Sequence, residues 1–387
     1  MVQALESIRT SGGNLEIVNQ LLLPHRIEYL EINSVEDAFD AIKSMKIRGA
    51  PAIASLAALS FAQYLTKALE QSPRPAYLTS TTEDLKAHVV PILSYLYESR
   101  PTAVNLGNAI KRLNKTLKEA VEKAGGDVTQ VAQALIKEAK SVADEDVGRN
   151  KDMSKHGGEW LVERVKSKGE SGEGLNVLTV CNTGSLATSG YGTALGFITY
   201  LHETKQLGKA YYTQTAPYHQ GSRLTALELK SLEIPSVMVC DTMVGSLFQH
   251  HRIHAVVVGA DRIARNGDTA NKIGTYNAAV LAARHKIAFI VVAPVATVDL
   301  DIADGTGIPI EHRPPLEACL VRGALYPFTE GREAEIAQIM ITPPDLKGVY
   351  NPSFDVTPAE LITAIVTEKG VATRRAGETS FDLSSVV

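Results

Sequence analysis

Five short runs rich in β-branched and apolar residues follow one another in the second half of the chain. They are LNVLTV (175–180), AYYTQ (210–214), PSVMVC (235–240), AVVVGA (255–260) and IAFIVVAP (287–294). Near-continuous apolar runs of this length read as strands buried on both faces, the situation of a parallel sheet. Segments with helical spacing lie between them, among them SRLTALELKSL and NKIGTYNAAVLAARHK. Parallel neighbours need a crossover of about a dozen residues or more, and a helix is the usual way to make one. The pattern predicts an α/β fold with a doubly wound, Rossmann-like parallel sheet in the C-terminal half.

The N-terminal half follows a different periodicity. Ser34 with Asp37 three residues on forms a capping-box signature ahead of VEDAFDAIKSM, which predicts a helix start. The segment after Pro51, AIASLAALSFAQYLTKAL, is apolar nearly all round. In NLGNAIKRLNKTLKEAV, by contrast, Leu106, Ile110, Leu113, Leu117 and Val121 fall on one face. At 387 residues the chain exceeds one typical domain. Between Arg149 and Asn176 the composition turns polar, and VKSKGESGEGLN reads as an exposed connection. The expected division is a smaller, mainly helical domain over 1–150, preceded by short strands, and a Rossmann-like domain over 151–387.

In an open parallel sheet the ligand lies at the carboxyl ends of the strands, where loops and helix N-termini converge. Those ends read CNTGSLATSGYG, TQTAPYHQGSR, CDTMVG, GADRIARNGDTANK and APVATVD. No G-x-G-x-x-G follows the first strand, and neither G-x-x-x-x-G-K-[ST] nor G-x-S-x-G occurs. Dinucleotide, nucleoside-triphosphate and serine-hydrolase chemistry are therefore disfavoured. A net charge of −4 without blocks of like charge disfavours nucleic acid or a membrane surface as partner. The N-terminus lacks a basic flank followed by an apolar run. Three widely spaced cysteines, with no C-x-x-C, argue against a zinc site or a disulfide framework. A soluble protein with reduced thiols is expected, in the cytoplasm first and the nucleus second.

Among the strand-end residues, Cys181 precedes Asn182, Thr183, Gly184 and Ser185, so its sulfur can face a hollow lined with backbone N–H groups that favour a thiolate. The rival reading is a small core residue. Asp261 stands where a buried strand surfaces, a setting that raises a carboxyl pKa toward general-acid duty, and its rival reading is a structural partner for Arg262. Asn271 and Lys272 can hydrogen-bond a sugar hydroxyl or phosphate, or belong to a solvated loop. Arg48 and Arg100 each stand close before a proline that suits a first helical turn, Pro51 and Pro101. An arginine beside unpaired helical N–H groups is suited to a phosphate, and Gly49 lets the backbone approach it; singly, each is equally a surface arginine. In PYHQGSRLT, Gln220 is the better substrate contact because its amide both donates and accepts, while His219 reads as a hydrogen-bonding loop residue rather than a base.

Taken together and in order, RGAPAI, CNTGSLAT, PYHQGSRLT and GADRIARNGDTANKIGTY resemble the 5-methylthioribose-1-phosphate isomerase family. The likeness extends to LEIVNQLLLPHRIEYLEI near the start and to PIEHRPP and GVYNPSFDVTPAELITAIVTEKG near the end. The resemblance implies a homodimeric enzyme of methionine salvage that turns an aldose 1-phosphate into its ketose isomer without cofactor or metal. Matched motif by motif, Cys181 and Asp261 fall on the catalytic pair. Arg48, Gly49, Ala50, Arg100, Gln220, Asn271 and Lys272 fall on substrate-binding positions. The chain departs from the family pattern at Gln214-Thr215-Ala216, where Glu-Thr-Arg is frequent, at His312, where a second acid is usual, and at Asn19, where aspartate is common. Two alternatives carry different expectations: a non-catalytic regulatory subunit of the translation initiation factor 2B type, and an isomerase of ribose 1,5-bisphosphate.

Overall fold

The structure, a computed structural model, describes residues 5–172, 174–327, 333–375 and 377–387. The first four positions of the N-terminal stretch and Glu173 in the polar connection lie outside the described residues. The chain opens with a three-stranded antiparallel sheet of β1 (Ile8–Ser11), β2 (Asn14–Val18) and β3 (Tyr29–Glu31). Helix α1 (Val35–Lys43) starts at the capping box expected from the sequence, Ser34 accepting from the Asp37 backbone and Asp37 reaching back to the cap. Helices α2 (Ala50–Glu70), α3 (Thr82–Glu98) and α4 (Val104–Lys123) follow. Among the described residues α2 is the one helix long and apolar enough to cross a membrane by composition, and it forms the centre of the helical core instead. The α4 face is placed as its periodicity predicts: Leu106, Ile110, Leu113 and Leu117 are buried, with Val121 packed beside them.

Helix α5 (Val128–Lys166) runs 39 residues, about 58 Å at 1.5 Å per residue. Its first half packs Val131, Leu135 and Ala139 into the helical core, and its second half packs Met153, Leu161 and Val165 under the parallel sheet. The border expected at residue 150 thus falls inside one helix. The polar composition read from Arg149 onward belongs to the solvent side of α5, and the exposed connection starts only after Lys166. The Gly157-Gly158 pair marks close packing rather than a break. A Cβ on Gly157 would lie 2.7 Å from the Phe197 ring.

Beyond the connection come β4 (Leu175–Thr179), α6 (Ala194–Glu203), β5 (Leu207–Thr213), α7 (Ala226–Ser231), β6 (Ser236–Val239), α8 (Val244–His250) and β7 (Ala255–Val258). Two short strands, β8 (Arg262–Ala264) and β9 (Thr269–Lys272), precede α9 (Thr275–Arg284), β10 (Ala288–Val292) and β11 (Val298–Asp299). The chain continues through α10 (Pro315–Cys319), a hairpin of β12 (Leu320–Ala324) and β13 (Ile336–Met340), then β14 (Phe354–Thr357), β15 (Ala364–Thr367) and β16 (Gly370–Thr373). The main sheet has the order β16-β15-β10-β7-β4-β5-β6 and is parallel except for the β15–β16 hairpin. From β4 the chain first winds outward to β5 and β6, then returns to the other side of β4 as β7 and continues to β10. The direction of winding reverses between β4 and β7, which opens a crevice beyond their carboxyl ends.

Candidate active site

Cys181 follows β4 by two residues and Asp261 follows β7 by three, so the two come from neighbouring central strands on either side of that reversal. Both line one pocket, with about 740 Å³ of space free of atoms, part of it open to solvent. Arg48, Gly49, Ala50, Arg100, Gln220, Asn271 and Lys272 line the same pocket. All nine residues singled out from the sequence are brought together.

The helical half supplies the cationic side. Gly49 caps α2 with φ of 104°, a left-handed conformation suited to glycine. A Cβ there would come within 2.3 Å of the Ala187 carbonyl oxygen, so the absent side chain lets the α2 N-terminus meet the loop after β4. Pro51 occupies the first turn of α2, as expected, and the first N–H groups of the helix lack intrahelical acceptors. Buried Arg48 donates through Nη1 to the Asn182 carbonyl at 3.0 Å and lies 3.9 Å from the Cys181 sulfur. Its Nη2 donates to the Asn182 side-chain oxygen. Arg100 differs from the sequence reading. Pro101 sits in a turn closed by the Ala103 N–H on the Arg100 carbonyl, and α4 begins only at Val104, so Pro101 does not open a helix here. Instead Arg100 pairs with Glu311 at 3.0 Å.

The sheet half supplies the groups that can move protons. Cys181 adopts φ of 70°, unusual for a residue with a side chain. Its N–H donates to Thr215 Oγ1 at 2.9 Å and its carbonyl accepts from Thr225 Oγ1 at 2.6 Å, which holds the turn in place. Asp261 is not the partner of Arg262, which reaches Asp299 at 2.7 Å and the Thr102 carbonyl at 3.2 Å. The Asp261 carboxyl faces the pocket with protein crowded around it. Burial pushes it up from its ordinary value, and Lys272, Arg100 and Arg48 pull against that rise without cancelling it. Burial likewise pushes the Lys272 ammonium down, opposed by Cys181 and Asp261.

Asn271 and Lys272 reach the pocket because the chain doubles back. The turn Asn266-Gly267-Asp268, with Gly267 at φ of 93°, lets β9 return antiparallel along β8, and Asp261 N–H donates to the Ala270 carbonyl at 2.9 Å. Strand β14 flanks β9 on its other side and brings Phe354 beside Lys272, whose Nζ is 4.9 Å from the ring centroid. Gln220 is buried, and its Oε1 has no protein partner. His219 lies outside this pocket and lines a neighbouring hollow with Arg223 and Arg322. Among the described residues no three His, Cys, Asp or Glu side chains cluster as a metal would require.

An acid held toward its neutral form, a thiol on a fixed turn and a set of cations around one sugar-sized hollow suit proton transfer on an anionic carbohydrate. The profile of the Initiation factor 2 subunit family matches residues 46–374. Methylthioribose-1-phosphate isomerase of Laccaria bicolor is 70% identical, over 99% of this chain and 100% of that relative. The chain belongs to the methylthioribose-1-phosphate isomerase branch of that family. The crystal structure of 5-methylthioribose 1-phosphate isomerase from Pyrococcus horikoshii superposes with a TM-score of 0.77 at 33% identity, covering 96% of this chain and 94% of the other. An A. fulgidus chain described as translation initiation factor eIF-2B, subunit delta, gives 0.73 at 37% identity, covering 96% of each.

Within this family framework, the departures noted in the sequence acquire places. Thr215 and Ala216 donate their N–H groups to the Asp241 carboxylate at 2.8 and 2.9 Å, and Thr215 supplies the Cys181 contact. The turn closes on Asp241 without the frequent arginine. His312 is exposed and packs edge-on against Tyr350, so the usual second acid would face solvent here. Asn19 contributes a side-chain acceptor for the Leu21 N–H at 3.3 Å. Sequence reasoning missed Arg313, Tyr218 and Phe354 as pocket walls. Arg313 stands in PIEHRPP, far from any strand end, and nothing in its spacing announces that Glu311 and Glu317 aim it at the site.

Proposed function

We propose that the protein is an aldose–ketose isomerase that converts 5-methylthioribose 1-phosphate to 5-methylthioribulose 1-phosphate in methionine salvage. The observation that carries this reading is the placement of Cys181 and Asp261 at the ends of adjacent central strands, facing one pocket with Arg48 and Lys272. The substrate carries its phosphate on the anomeric carbon, so its ring does not open as a free sugar's does. Asp261 donates a proton to the ring oxygen as the bond from C1 to that oxygen breaks, Cys181 assists transfer of hydrogen from C2 to C1, and the C2 hydroxyl returns a proton to the Asp261 carboxylate as it becomes the ketone. Arg48 and Arg100, with the first N–H groups of α2, hold the phosphate, and Gln220, Asn271 and Lys272 bind the sugar. Two routes fit these groups: proton removal to an enediol, or a hydride shift. Solvent deuterium at C1 of the product marks the first.

Positioned acid–base groups contribute roughly 10²- to 10⁴-fold each, so C181S and D261N lower turnover by at least about 10² with the fold intact. Near-normal turnover in either variant sinks the assignment. Assaying 5-methylthioribose 1-phosphate against ribose 1,5-bisphosphate separates the two isomerase readings, and absence of turnover on both favours a regulatory subunit. The homodimer belongs to the same proposal, and sedimentation equilibrium of the purified chain tests it.

A further inference from the structure

The wall behind the pocket contains a buried acid that the mechanism above does not use. Glu228, on α7, is 3% exposed. Its Oε1 accepts from Asn182 Nδ2 at 2.6 Å and its Oε2 lies 2.7 Å from Ser185 Oγ. The backbone N–H groups of Ser185 and Leu186 also donate to this carboxyl. The loop after β4 is built around it: a Cβ on Gly184 would come within 2.3 Å of Glu228 Oε2, so only glycine lets the turn close on the acid. Asn182 is the bridge. Its amide nitrogen donates to Glu228 at 2.6 Å and, more weakly, to Thr225 Oγ1 at 3.3 Å, which leaves its amide oxygen to face Arg48 Nη2.

We propose that Glu228 is a positioning residue that, by orienting the Asn182 amide, holds the Arg48 guanidinium between the substrate's phosphate and the Cys181 sulfur. An amide can turn either end outward; the donor-only guanidinium selects its oxygen, and the acceptor behind it holds its nitrogen, so the two contacts fix one orientation together. Among the described residues Arg48 has no carboxylate in contact, and Glu228 sets an acid one side chain away, which offsets part of its desolvation. Glutamine at 228 fails on either rotamer. With its oxygen toward Asn182, its NH₂ meets the N–H groups of Ser185 and Leu186; turned over, it opposes the Asn182 NH₂.

The role of Arg48 in substrate binding rests on the isomerase reading, so the test has one measurement that depends on that reading and one that does not. The first is steady-state kinetics on 5-methylthioribose 1-phosphate. E228Q and N182A each raise KM about tenfold with a smaller change in kcat, and the double variant is no worse than the poorer single one, as expected of residues acting as one unit. The second is the rate of iodoacetamide labelling at Cys181, resolved by mass spectrometry from Cys240. Thiol reactivity follows neighbouring cations, so both variants slow labelling of Cys181 by about fivefold and leave Cys240 unchanged. If E228Q does not fold, N182A alone carries both measurements, because it breaks the bridge and leaves the contacts of Glu228 with Ser185 in place. Unchanged labelling in the folded variants overturns the proposal, as do effects that multiply in the double variant. Wild-type protein without turnover on the sugar phosphate overturns the isomerase reading alone, and labelling then decides the place of Glu228.

Discussion

Asp261 ties the local environment to a pH dependence. Its carboxyl is pushed up by burial, so it keeps its proton above the ordinary carboxylate range, and the cations around it limit that rise. The proposed mechanism uses the protonated form, so kcat should fall as pH rises through the folded value, and D261N should lack that limb together with most of the activity. A pH–rate profile with no alkaline decline assigned to this residue contradicts the role. Asp355 makes a separate prediction about stability. Its carboxylate accepts from the N–H groups of Gly274 and Tyr276 at the start of α9, and burial pushes its pKa up to about 6 from 3.8. A carboxyl raised on folding contributes stability that is complete below 3.8 and is lost as pH rises to about 6, in total roughly 3 kcal/mol. Thermal midpoints of D355N, measured from pH 4 to 6.5, should therefore vary less with pH than those of the parent. That Cys181, Asp261 and Gln220 meet at one pocket was legible because thiol, acid and amide types stand at strand ends, and the rule for open sheets says where those ends point. Their partners were not. Nothing local in the sequence pairs Arg262 with Asp299 rather than Asp261, or Arg100 with Glu311, since those contacts are fixed by segments far along the chain.

At the level of elements, the strands of the parallel sheet and the helices of the first half were readable because burial imposes continuous runs in one and a stripe in the other. The elements that escaped are those with weak periodicity. The β8–β9 return occupies 11 residues from Arg262 to Lys272 and reads as a polar loop, yet its Asn-Gly turn is what brings Lys272 beside Asp261. Helix α5 was cut short in the reading because the composition turns polar from Arg149 onward, although the helix continues through the Gly157-Gly158 pair to Lys166. The structure gives that pair a contact to test. A Cβ at Gly157 would press on the fully buried Phe197, so G157A should lower stability by about 1–3 kcal/mol, the usual range for overpacking, with the pocket residues undisturbed. Urea unfolding with kcat measured in parallel checks it: loss of turnover without loss of stability contradicts this account.

On the scale of the whole molecule, one helix belongs to two cores. Val131 and Leu135 of α5 pack with the helical half while Leu161 and Val165 pack beneath the sheet, so neither half can lose its packing without exposing part of the other's. The chain should unfold in one cooperative step. Trp160, the single tryptophan, lies on α5 and packs at the sheet side. Its fluorescence should follow the same denaturant midpoint as helical circular dichroism, and separated midpoints would show that the halves come apart independently. The arginines proposed to grip the anion project from one half and the thiol and acid proposed to react from the other, so a rod through both works like the frame of a vice. With the jaws held at a set span by that shared packing, a cleft that opened and shut by scissoring would have to bend α5 itself.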